Sequence, residues 1–189
     1  MKSDTRTMPT LLTYEDYCLI PNDGNRYEVV DGALHMSPAP IIRHQQISIQ
    51  LVSVLFKHVT DHDLGLLFHA PCDVVLSEHN VVQPDMLFIS KERTSIITDK
   101  NVQGAPDLLV EILSEGNRRH DEVVKRKLYE SFDVNEYWII DPVLELVKVY
   151  RLEEGSYSGA KELSAEREDV LSSPLLSGFE LALTTLFKS

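Results

Sequence analysis

The chain has 189 residues, of which 43% are hydrophobic and 25% charged, and its formal net charge is −12. This length and composition are typical of one globular domain with a substantial core, and no stretch reaches the roughly 18 apolar residues of a membrane-spanning helix. Because phosphate backbones attract Lys and Arg, the acidic balance disfavours a protein that coats DNA without sequence preference.

The first residues and the cysteines indicate the compartment. The chain starts with no apolar segment typical of a signal peptide, and Cys18 and Cys72 lack the spacing of a metal site. We therefore expect a cytoplasmic protein with reduced cysteines and no membrane contact. A flexible N-terminal tail is expected over residues 1–11, and a single domain over residues 12–189.

The first predicted elements are a short helix and a hairpin. Thr13 precedes residues 14–20 and has Asp16 three positions later, which is a variant of the capping box. The pair Asp31-Gly32 separates two apolar strands, and such a pair is typical of a two-residue β-turn. We therefore expect an N-terminal hairpin directly after the helix.

A long helix and a series of strands follow. Apolar residues recur with a helical period over residues 41–61. Further elements are predicted in this order: strands at 66–69, 73–76, 85–89 and 108–113, a helix at about 118–132, a strand at 136–140, a hairpin over 146–163 and a short closing helix. Apolar strands interleaved with helices indicate an α/β fold, and the hairpins indicate a mixed sheet.

Acidic residues stand in or beside the apolar strands, where burial is costly unless it is compensated. Asp107 and Glu111 share a strand face, but four residues at about 3.3 Å each separate them by about 13 Å, too far for one Mg²⁺ with bonds of about 2.1 Å. Asp85 and Glu111, on neighbouring strands about 4.8 Å apart, are the better pair. Asp107 is then expected to cap its strand or to support the site from outside. The alternative for Asp85 is a plain turn after Pro84.

A lysine follows on the next predicted helix. Asp121, Lys125 and Tyr129 recur at four-residue spacing and share a helix face. Alone, Asp121 and Lys125 would be a surface ion pair worth about 0.3–0.5 kcal/mol. This helix directly follows the strand of Glu111, however, so its first turns are expected near the end of that strand, where α/β folds tend to place their sites. Lys125 could then orient an attacking water or neutralise a phosphate.

Two further residues are candidates for the same site. Glu28 lies in an apolar hairpin strand and could complete a metal shell, or form a cross-strand pair with a basic residue. His44 opens the long helix, where a single histidine is more often structural than catalytic. We keep it as a supporting candidate, together with Asp107, Asp121 and Tyr129. The histidines lack the HxxxH spacing of a zinc site.

Six motifs stand in a fixed order along the chain. They are 26–32 (RYEVVDG), 37–40 (SPAP) with His44, 83–85 (QPD), 104–114 (GAPDLLVEILS), Asp121 with Lys125 and Tyr129, and 134–142 (VNEYWIIDP). With these motifs the chain resembles the Uma-type putative restriction endonucleases, a branch of the PD-(D/E)XK nuclease superfamily. The resemblance extends from about residue 12 to residue 187, nearly the whole chain.

The resemblance implies a restriction-endonuclease-like fold, in which helices flank a mixed β-sheet, with additional N- and C-terminal β-hairpins. It also implies a Mg²⁺-dependent phosphodiesterase site in which Mn²⁺ can substitute. Asp85 matches the metal-binding Asp, Glu111 the second acid and Glu28 the acid from the N-terminal region. The superfamily pattern has a lysine two residues after the second acid, where this chain has Leu113. Lys125 would take the place of that lysine.

The favoured hypothesis is a Mg²⁺-dependent endonuclease acting on DNA, with Asp85, Glu111 and Glu28 at the metal and Lys125 as a further catalytic residue. A second hypothesis, motivated by the net charge and by Leu113, is a catalytically idle domain that serves in protein–protein interaction, as a homodimer. Metal titration discriminates the two. A third, a glycosidase with Asp85 and Glu111 as paired acids, leaves Lys125 without a role.

Overall fold

The structure is a computed structural model that describes residues 11–37 and 39–188. Pro38 and residues 1–10 of the expected tail lie outside the described residues. The helices are α1 (Tyr14–Cys18), α2 (Ile42–Asp61), α3 (Arg126–Ser131) and α4 (Leu183–Leu186), with a 3₁₀ helix at Lys91–Ile96 and a π-helix at His120–Lys125. The strands are β1 (Arg26–Val30), β2 (Ala33–Ser37), β3 (Gly65–His69), β4 (Val74–Ser77), β5 (Asn80–Val82), β6 (Met86–Ser90), β7 (Val102–Gln103), β8 (Leu108–Ile112), β9 (Glu136–Asp141), β10 (Leu146–Glu153), β11 (Ser156–Tyr157), β12 (Lys161–Ser164), β13 (Val170–Ser172) and β14 (Glu180–Ala182).

The N-terminal helix and hairpin form as predicted. The backbone of Asp16 donates to Oγ1 of Thr13 at 3.2 Å, and the backbone of Thr13 donates to Oδ2 of Asp16 at 2.9 Å, which completes the capping box before α1. Asp31 and Gly32 both have positive φ, 50° and 73°, as a tight turn between right-twisted strands requires. The sequence pattern therefore fixes this region locally.

The main sheet is mixed, which confirms the α/β prediction. Its strand order is β11-β10-β9-β8-β6-β3, and β12 also pairs with β10. Strands β8 and β9 run parallel, and the other neighbours in this sheet run antiparallel. The predicted hairpin over 146–163 forms around β10, although its second arm is divided into β11 and β12. A further pair, β13 and β14, precedes the closing helix α4.

A second sheet has the order β2-β1-β5-β4-β7, and two of its strands, β7 and β5, were not predicted from the sequence. Strand β5 has three residues, too few to show a period of its own. It pairs with β1 through Val29 and Val81. The pairing matters for function because it brings the acid-bearing strand β1 beside the segment that leads into β6.

The main sheet is covered on both faces, and each face has its own apolar cluster. Helix α2 packs with Met86, Phe88 and Val110 on one face. Leu109 and Leu113 pack with α3 on the other face, and Leu113 is 3% exposed. Since side chains alternate along a strand, Glu111 shares the α3 face with Leu109 and Leu113.

The helix predicted over residues 118–132 differs from expectation in its first half. It begins with π-helical turns at His120–Lys125 and continues as α3. Apolar periodicity cannot separate the two geometries over so short a segment. π-Helical turns frequently occur at functional sites, because they displace side chains from the α-helical positions.

Two further features concern the helices and the cysteines. None of the helices in the described part of the chain has both the length and the apolar character needed to cross a bilayer. Cys18 and Cys72 are not joined by a disulfide; Cys18 is exposed and Cys72 is partly buried.

Candidate functional site

Asp85 and Glu111 meet where β6 begins and β8 ends. The antiparallel register pairs Met86 with Val110, so the next residues outward along the two strands are these two acids. The backbone of Ile112 donates a hydrogen bond to Oδ2 of Asp85 at 2.9 Å. This hydrogen bond connects Asp85, at the start of β6, to the end of β8. The alternative interpretation, a plain turn after Pro84, would not require this contact with β8.

Lys125 lies at the centre of a buried group of acids. Its Nζ lies 2.8 Å from Oε1 of Glu28, 2.9 Å from Oε1 of Glu111 and 3.6 Å from Oδ1 of Asp121. Lys125 is only 3% exposed, so the interpretation of Asp121–Lys125 as a surface pair is wrong. The hydroxyl of Tyr129 also donates to Oε1 of Glu111, at 3.0 Å.

Glu28 lies on β1 of the second sheet, and its carboxylate contacts residues outside that strand. Its Oε1 accepts a hydrogen bond from the backbone of Gln83 at 2.7 Å, and its Oε2 lies 3.6 Å from Nε2 of His120. The side chain is absent from the wall of the pocket described next. Glu28 reaches that pocket only through its contact with Lys125.

Asp85 is held by two basic side chains. Nε2 of His44 lies 3.1 Å from Oδ2 of Asp85, and the guanidinium of Arg26 lies 3.3 Å from Oδ1. Arg26 also donates to the carbonyl of Gln83. His44 therefore orients Asp85 from the first turn of α2, in the supporting position that the sequence analysis allowed.

A narrow pocket opens beside these acids. It encloses about 20 Å³, room for about one water molecule or one small ion. Its wall joins residues from both sheets, α2 and the π-helix: Arg26, Ser37, Pro40, His44, Asp85, Glu111, Ile112, Ser114, Asn117, Asp121 and Lys125.

Burial and mutual repulsion raise the pKa values of two acids at the pocket, Glu111 and Asp121. Burial raises the pKa of Glu111 well above its usual range, and Asp121 and Asp85 raise it further against the opposing effect of Lys125. Burial likewise raises the pKa of Asp121 to about 6, with Glu28 and Asp85 adding to the shift. These carboxyls therefore hold protons more tightly than ordinary acids do.

Glu28 and Lys125 stay charged. Burial alone would raise the pKa of Glu28, but Lys125, His120 and the Gln83 amide lower it to about 2. Burial would lower the pKa of Lys125, yet the surrounding carboxylates hold it well above its usual range. Burial also opposes ionisation of Asp85, but His44, the Ile112 amide and Arg26 together lower its pKa.

Several polar atoms at the site have no hydrogen-bond partner within the described residues. They include Oε2 of Glu28, Oδ1 of Asp121, Nδ1 of His44 and Nε2 of His120. Buried polar atoms are normally paired, so unpaired ones usually mark a place for water, an ion or a ligand. The cluster also has more carboxyls than cations, which favours a positively charged ligand.

The donor set fits one kind of metal ion better than others. Within the described ranges, no group of three or more His, Cys, Asp and Glu side chains is arranged to hold a metal by itself. Mg²⁺, however, is usually bound by one or two carboxylates together with waters and substrate phosphates. Asp85 and Glu111 fit that mode, and a zinc site is not indicated.

Asp107 stands apart from this cluster. It directly precedes β8, at the end opposite Glu111, and accepts hydrogen bonds from the Ser90 backbone at 2.8 Å, Arg93 at 2.9 Å and Asn135 at 3.0 Å. It therefore caps its strand, the first of its two expected roles, and does not support the site.

Two charged or titratable residues at the site, Arg26 and His120, were not predicted from the sequence. Arg26 shares a strand face with Glu28, so the two-residue period of β1 could have revealed it. His120 precedes Asp121 and reaches Glu28 from the π-helix. No local signal in the sequence announces a π-helix, so His120 could not have been found this way.

The fold is of the restriction-endonuclease-like class. A crystal structure described as a putative nuclease belonging to DUF820, from Anabaena variabilis ATCC 29413, superposes with a TM-score of 0.79 at 21% identity. The match covers 93% of this chain and 97% of that one. A search of curated proteins returned no match.

The family model agrees with this class. The model named Uma2, described as "Putative restriction endonuclease", matches residues 13–184. The chain therefore belongs to the Uma2 family, which confirms the resemblance drawn from the six motifs.

Proposed function

We propose that the chain is a Mg²⁺-dependent endonuclease that hydrolyses phosphodiester bonds of DNA, with Mn²⁺ as an effective substitute. The observation that carries the proposal is the contact of the buried Lys125 ammonium with Glu111, at a pocket that Asp85 also lines. Membership of the Uma2 family supports a nuclease reaction in general terms.

Asp85 and Glu111 are the residues that would hold the ion. Both are buried, both line the pocket and both carry carboxylate oxygens, the ligands that Mg²⁺ prefers. A bound divalent ion would supply Lewis-acid stabilisation of the charge that develops on the phosphoryl oxygens. Because the pKa values of Glu111 and Asp121 are raised and metal ligands must be deprotonated, metal binding should weaken as the pH falls.

Lys125 supplies a fixed positive charge and hydrogen-bond donors. Its ammonium is positioned by Glu28 and Glu111, and from there it would donate to a phosphate oxygen or to the attacking water. Glu28 contacts the Gln83 backbone and the Lys125 ammonium. These contacts favour a role for Glu28 in positioning Lys125 over the direct metal contact that the resemblance implies.

The substrate must be attracted locally, because the whole chain carries a net charge of −12. Arg26 has 27% of its side chain exposed beside the pocket and is suited to bind a phosphate. We therefore expect DNA to bind weakly without a divalent ion and more tightly with one.

Cleavage of a supercoiled plasmid tests the proposal. The purified protein should nick or linearise the plasmid with Mg²⁺ or Mn²⁺ and lose the activity in EDTA. Asp85→Asn and Glu111→Gln should each lower the rate by at least about 100-fold. Asp107→Asn is the matched control, since it alters a buried strand carboxylate away from the pocket.

Two results would contradict the proposal. Equal cleavage by wild type, Asp85→Asn and Glu111→Gln would identify a contaminating nuclease. Absence of cleavage together with absence of Mg²⁺ or Mn²⁺ binding at millimolar concentrations, measured by calorimetry, would favour the idle interaction domain. Single-stranded DNA and RNA, assayed in parallel, would define the substrate class.

A further inference from the structure

Arg118 lies at the end of the main sheet where the pocket is found. Its Nη1 donates a hydrogen bond to Oδ2 of Asp141 at 2.7 Å, and Asp141 is the last residue of β9. Strands β8 and β9 are parallel and pair Glu111 with Ile139, so Asp141 stands two residues beyond Ile139, on the same face as Glu111. Arg118 also directly follows Asn117, which lines the pocket. The guanidinium is therefore anchored beside the pocket, on its β9 side.

A second arginine is anchored on the other side of Glu111. Strands β6, β8 and β9 are neighbours in this order, and Glu111 is on the central strand. The Arg26 guanidinium contacts Asp85, which directly precedes β6. The Arg118 guanidinium contacts Asp141 two strands away, and each strand spacing is about 4.8 Å. The two arginines therefore bracket the pocket along the edge of the sheet.

Arg118 keeps most of its hydrogen-bond donors available. A guanidinium has five N–H donors, and within the described residues only Nη1 of Arg118 makes a hydrogen bond. Glu122 approaches the same nitrogen, at 3.7 Å, and the Arg118 side chain is 39% exposed. Arg26, in contrast, uses all three of its side-chain nitrogens in contacts with Gln83 and Asp85. Of the two arginines, Arg118 therefore has more free donors for a planar, bidentate contact with a phosphate.

Asp141 fixes the guanidinium without depending on it. The carboxylate is buried, and its Oδ1 accepts hydrogen bonds from the backbone amides of Val143 at 2.9 Å and Leu144 at 3.0 Å. Removal of the Arg118 guanidinium would therefore leave the Asp141 carboxylate hydrogen-bonded. Arg118 thus carries an exposed charge on a fixed anchor, and such preorganisation lowers the entropic cost of binding a ligand.

The next residue, Arg119, adds positive charge at the same place. It is exposed and forms no ion pair with the other described residues. Every other arginine in the described ranges contacts a carboxylate: Arg26, Arg43, Arg93, Arg118, Arg126, Arg151 and Arg167. The whole chain has a net charge of −12 and repels DNA, so adjacent arginines beside the pocket offset this repulsion where a substrate has to bind.

Given the proposed nuclease function, on which this role rests, we propose that Arg118 binds a DNA phosphate on the β9 side of the pocket, next to the phosphate that is cut. Arg26 would contact the same DNA strand on the β6 side, so the DNA strand would cross the edge of the sheet from β6 to β9. Contacts with backbone phosphates fix the position of a nucleic acid and carry no sequence information. Arg118 would therefore hold the scissile phosphate at the pocket for any base sequence.

The salt dependence of DNA binding tests this role. Each phosphate contact by Lys or Arg contributes about −0.9 to the slope of log affinity against log salt concentration. Arg118→Gln should therefore make the slope less steep by about 0.9 and weaken the binding of a short duplex about tenfold, whatever its sequence. Arg118→Lys keeps the charge but loses the bidentate donors, so it should retain the wild-type slope and lose only part of the affinity. A merely structural role would leave the slope unchanged in both variants.

The choice of metal ion matters for this measurement, which uses fluorescence anisotropy of a labelled duplex. Ca²⁺ replaces Mg²⁺, because it takes the same carboxylate ligands without the strict octahedral geometry of Mg²⁺ and should support DNA binding without rapid cleavage. Zn²⁺, Ni²⁺ and Cu²⁺ are left out. His58 and His62 at the end of α2 do have the HxxxH spacing, contrary to the sequence-based expectation, and line a surface pocket where such ions could bind.

Arg93→Gln is the matched control. Arg93 contacts the buried Asp107 at 2.9 Å and has 38% of its side chain exposed, nearly the same as Arg118. Asp107 precedes β8 at the end of the main sheet opposite the pocket, so Arg93→Gln should leave both the slope and the affinity unchanged. Thermal unfolding of the two variants checks that each is folded after the loss of a comparable ion pair.

Two results would overturn the proposal: a wild-type slope in Arg118→Gln, or an equal change in Arg93→Gln. If Arg118→Gln does not fold, wild-type affinity in Arg118→Lys would overturn it in the same way. A wild type that cleaves DNA while the Arg118 variants bind DNA like wild type would contradict only the role of Arg118. A wild type that neither binds nor cleaves DNA would contradict the proposed function and the role of Arg118 together.

Discussion

Nζ of Lys125 lies 2.9 Å from Oε1 of Glu111, although the two residues are 14 positions apart in the chain. The superfamily pattern has its lysine two positions after the acid, where this chain has the buried Leu113. The π-helix and the packing of α3 on the sheet bring the ammonium to the acid from a different element. The absence of a lysine at position 113 therefore does not leave Glu111 without a cationic partner.

The buried lysine should contribute strongly to stability. Lys125→Met would leave Glu28 and Glu111 buried without their cation, and loss of one partner from a buried pair costs about 3–5 kcal/mol. Glu28→Gln combined with Lys125→Met should cost less than the sum of the single changes, because the two residues are coupled. Urea unfolding of the four proteins at neutral pH measures this coupling.

The control for that experiment is Lys57→Met. Lys57 pairs with Asp61 on the surface of α2, where solvent screens the interaction, so little change is expected. Additive effects of Glu28→Gln and Lys125→Met would show that the contact in the buried cluster has no energetic consequence.

Tyr129→Phe should lower stability by about 1–2 kcal/mol. The change removes the hydroxyl that donates to Oε1 of Glu111 in a buried environment and leaves the ring packing intact. Thermal and urea unfolding provide the measurement, with Tyr27→Phe as a control because its hydroxyl contacts Asp23 at an exposed position. Equal effects of the two substitutions would argue against a special role of the buried contact.

Asp107 should contribute a pH-dependent part of the stability. Burial opposes its ionisation, but the Ser90 amide and Arg93 lower its pKa below the ordinary value of 3.8. A lowered pKa in the folded state stabilises the protein above the unfolded-state pKa, and this contribution disappears as the pH falls through the folded-state pKa. The stability difference between wild type and Asp107→Asn should therefore be constant near neutral pH and should shrink below about pH 4. A stability difference between the two proteins that grows at acidic pH would contradict a lowered pKa of Asp107 in the folded state.

Deletion of Val123 should separate folding from function. Val123 is 40% exposed within the π-helix, and removal of one residue would allow this segment to become α-helical. Residues before the deletion would turn by about 100° relative to Lys125, which moves Asp121 and His120 away from the cluster. We expect a folded protein by circular dichroism, with weaker divalent metal binding and loss of any cleavage, because Asp121 lines the same pocket as Asp85 and Glu111. Val123→Ala controls for the lost side chain and should retain both properties.

The sequence by itself determined the local elements and the identity of the principal acids. The capping box at Thr13, the Asp31-Gly32 turn and the apolar period of α2 depend on neighbours in the chain, so their structures follow from short-range patterns. Asp85 and Glu111 were recognisable because an acid beside apolar strand residues is costly unless it is compensated.

Only the tertiary structure decided how these residues combine. The pairing of β1 with β5, the register between β6 and β8, and the π-helical start of the segment before α3 are set by packing between distant parts of the chain. These interactions put Lys125 between Glu28 and Glu111, bring Arg26 to Asp85 and leave Asp107 at the far end of its strand. A sequence pattern records which residues are buried, but distances between side chains depend on how the elements pack against one another.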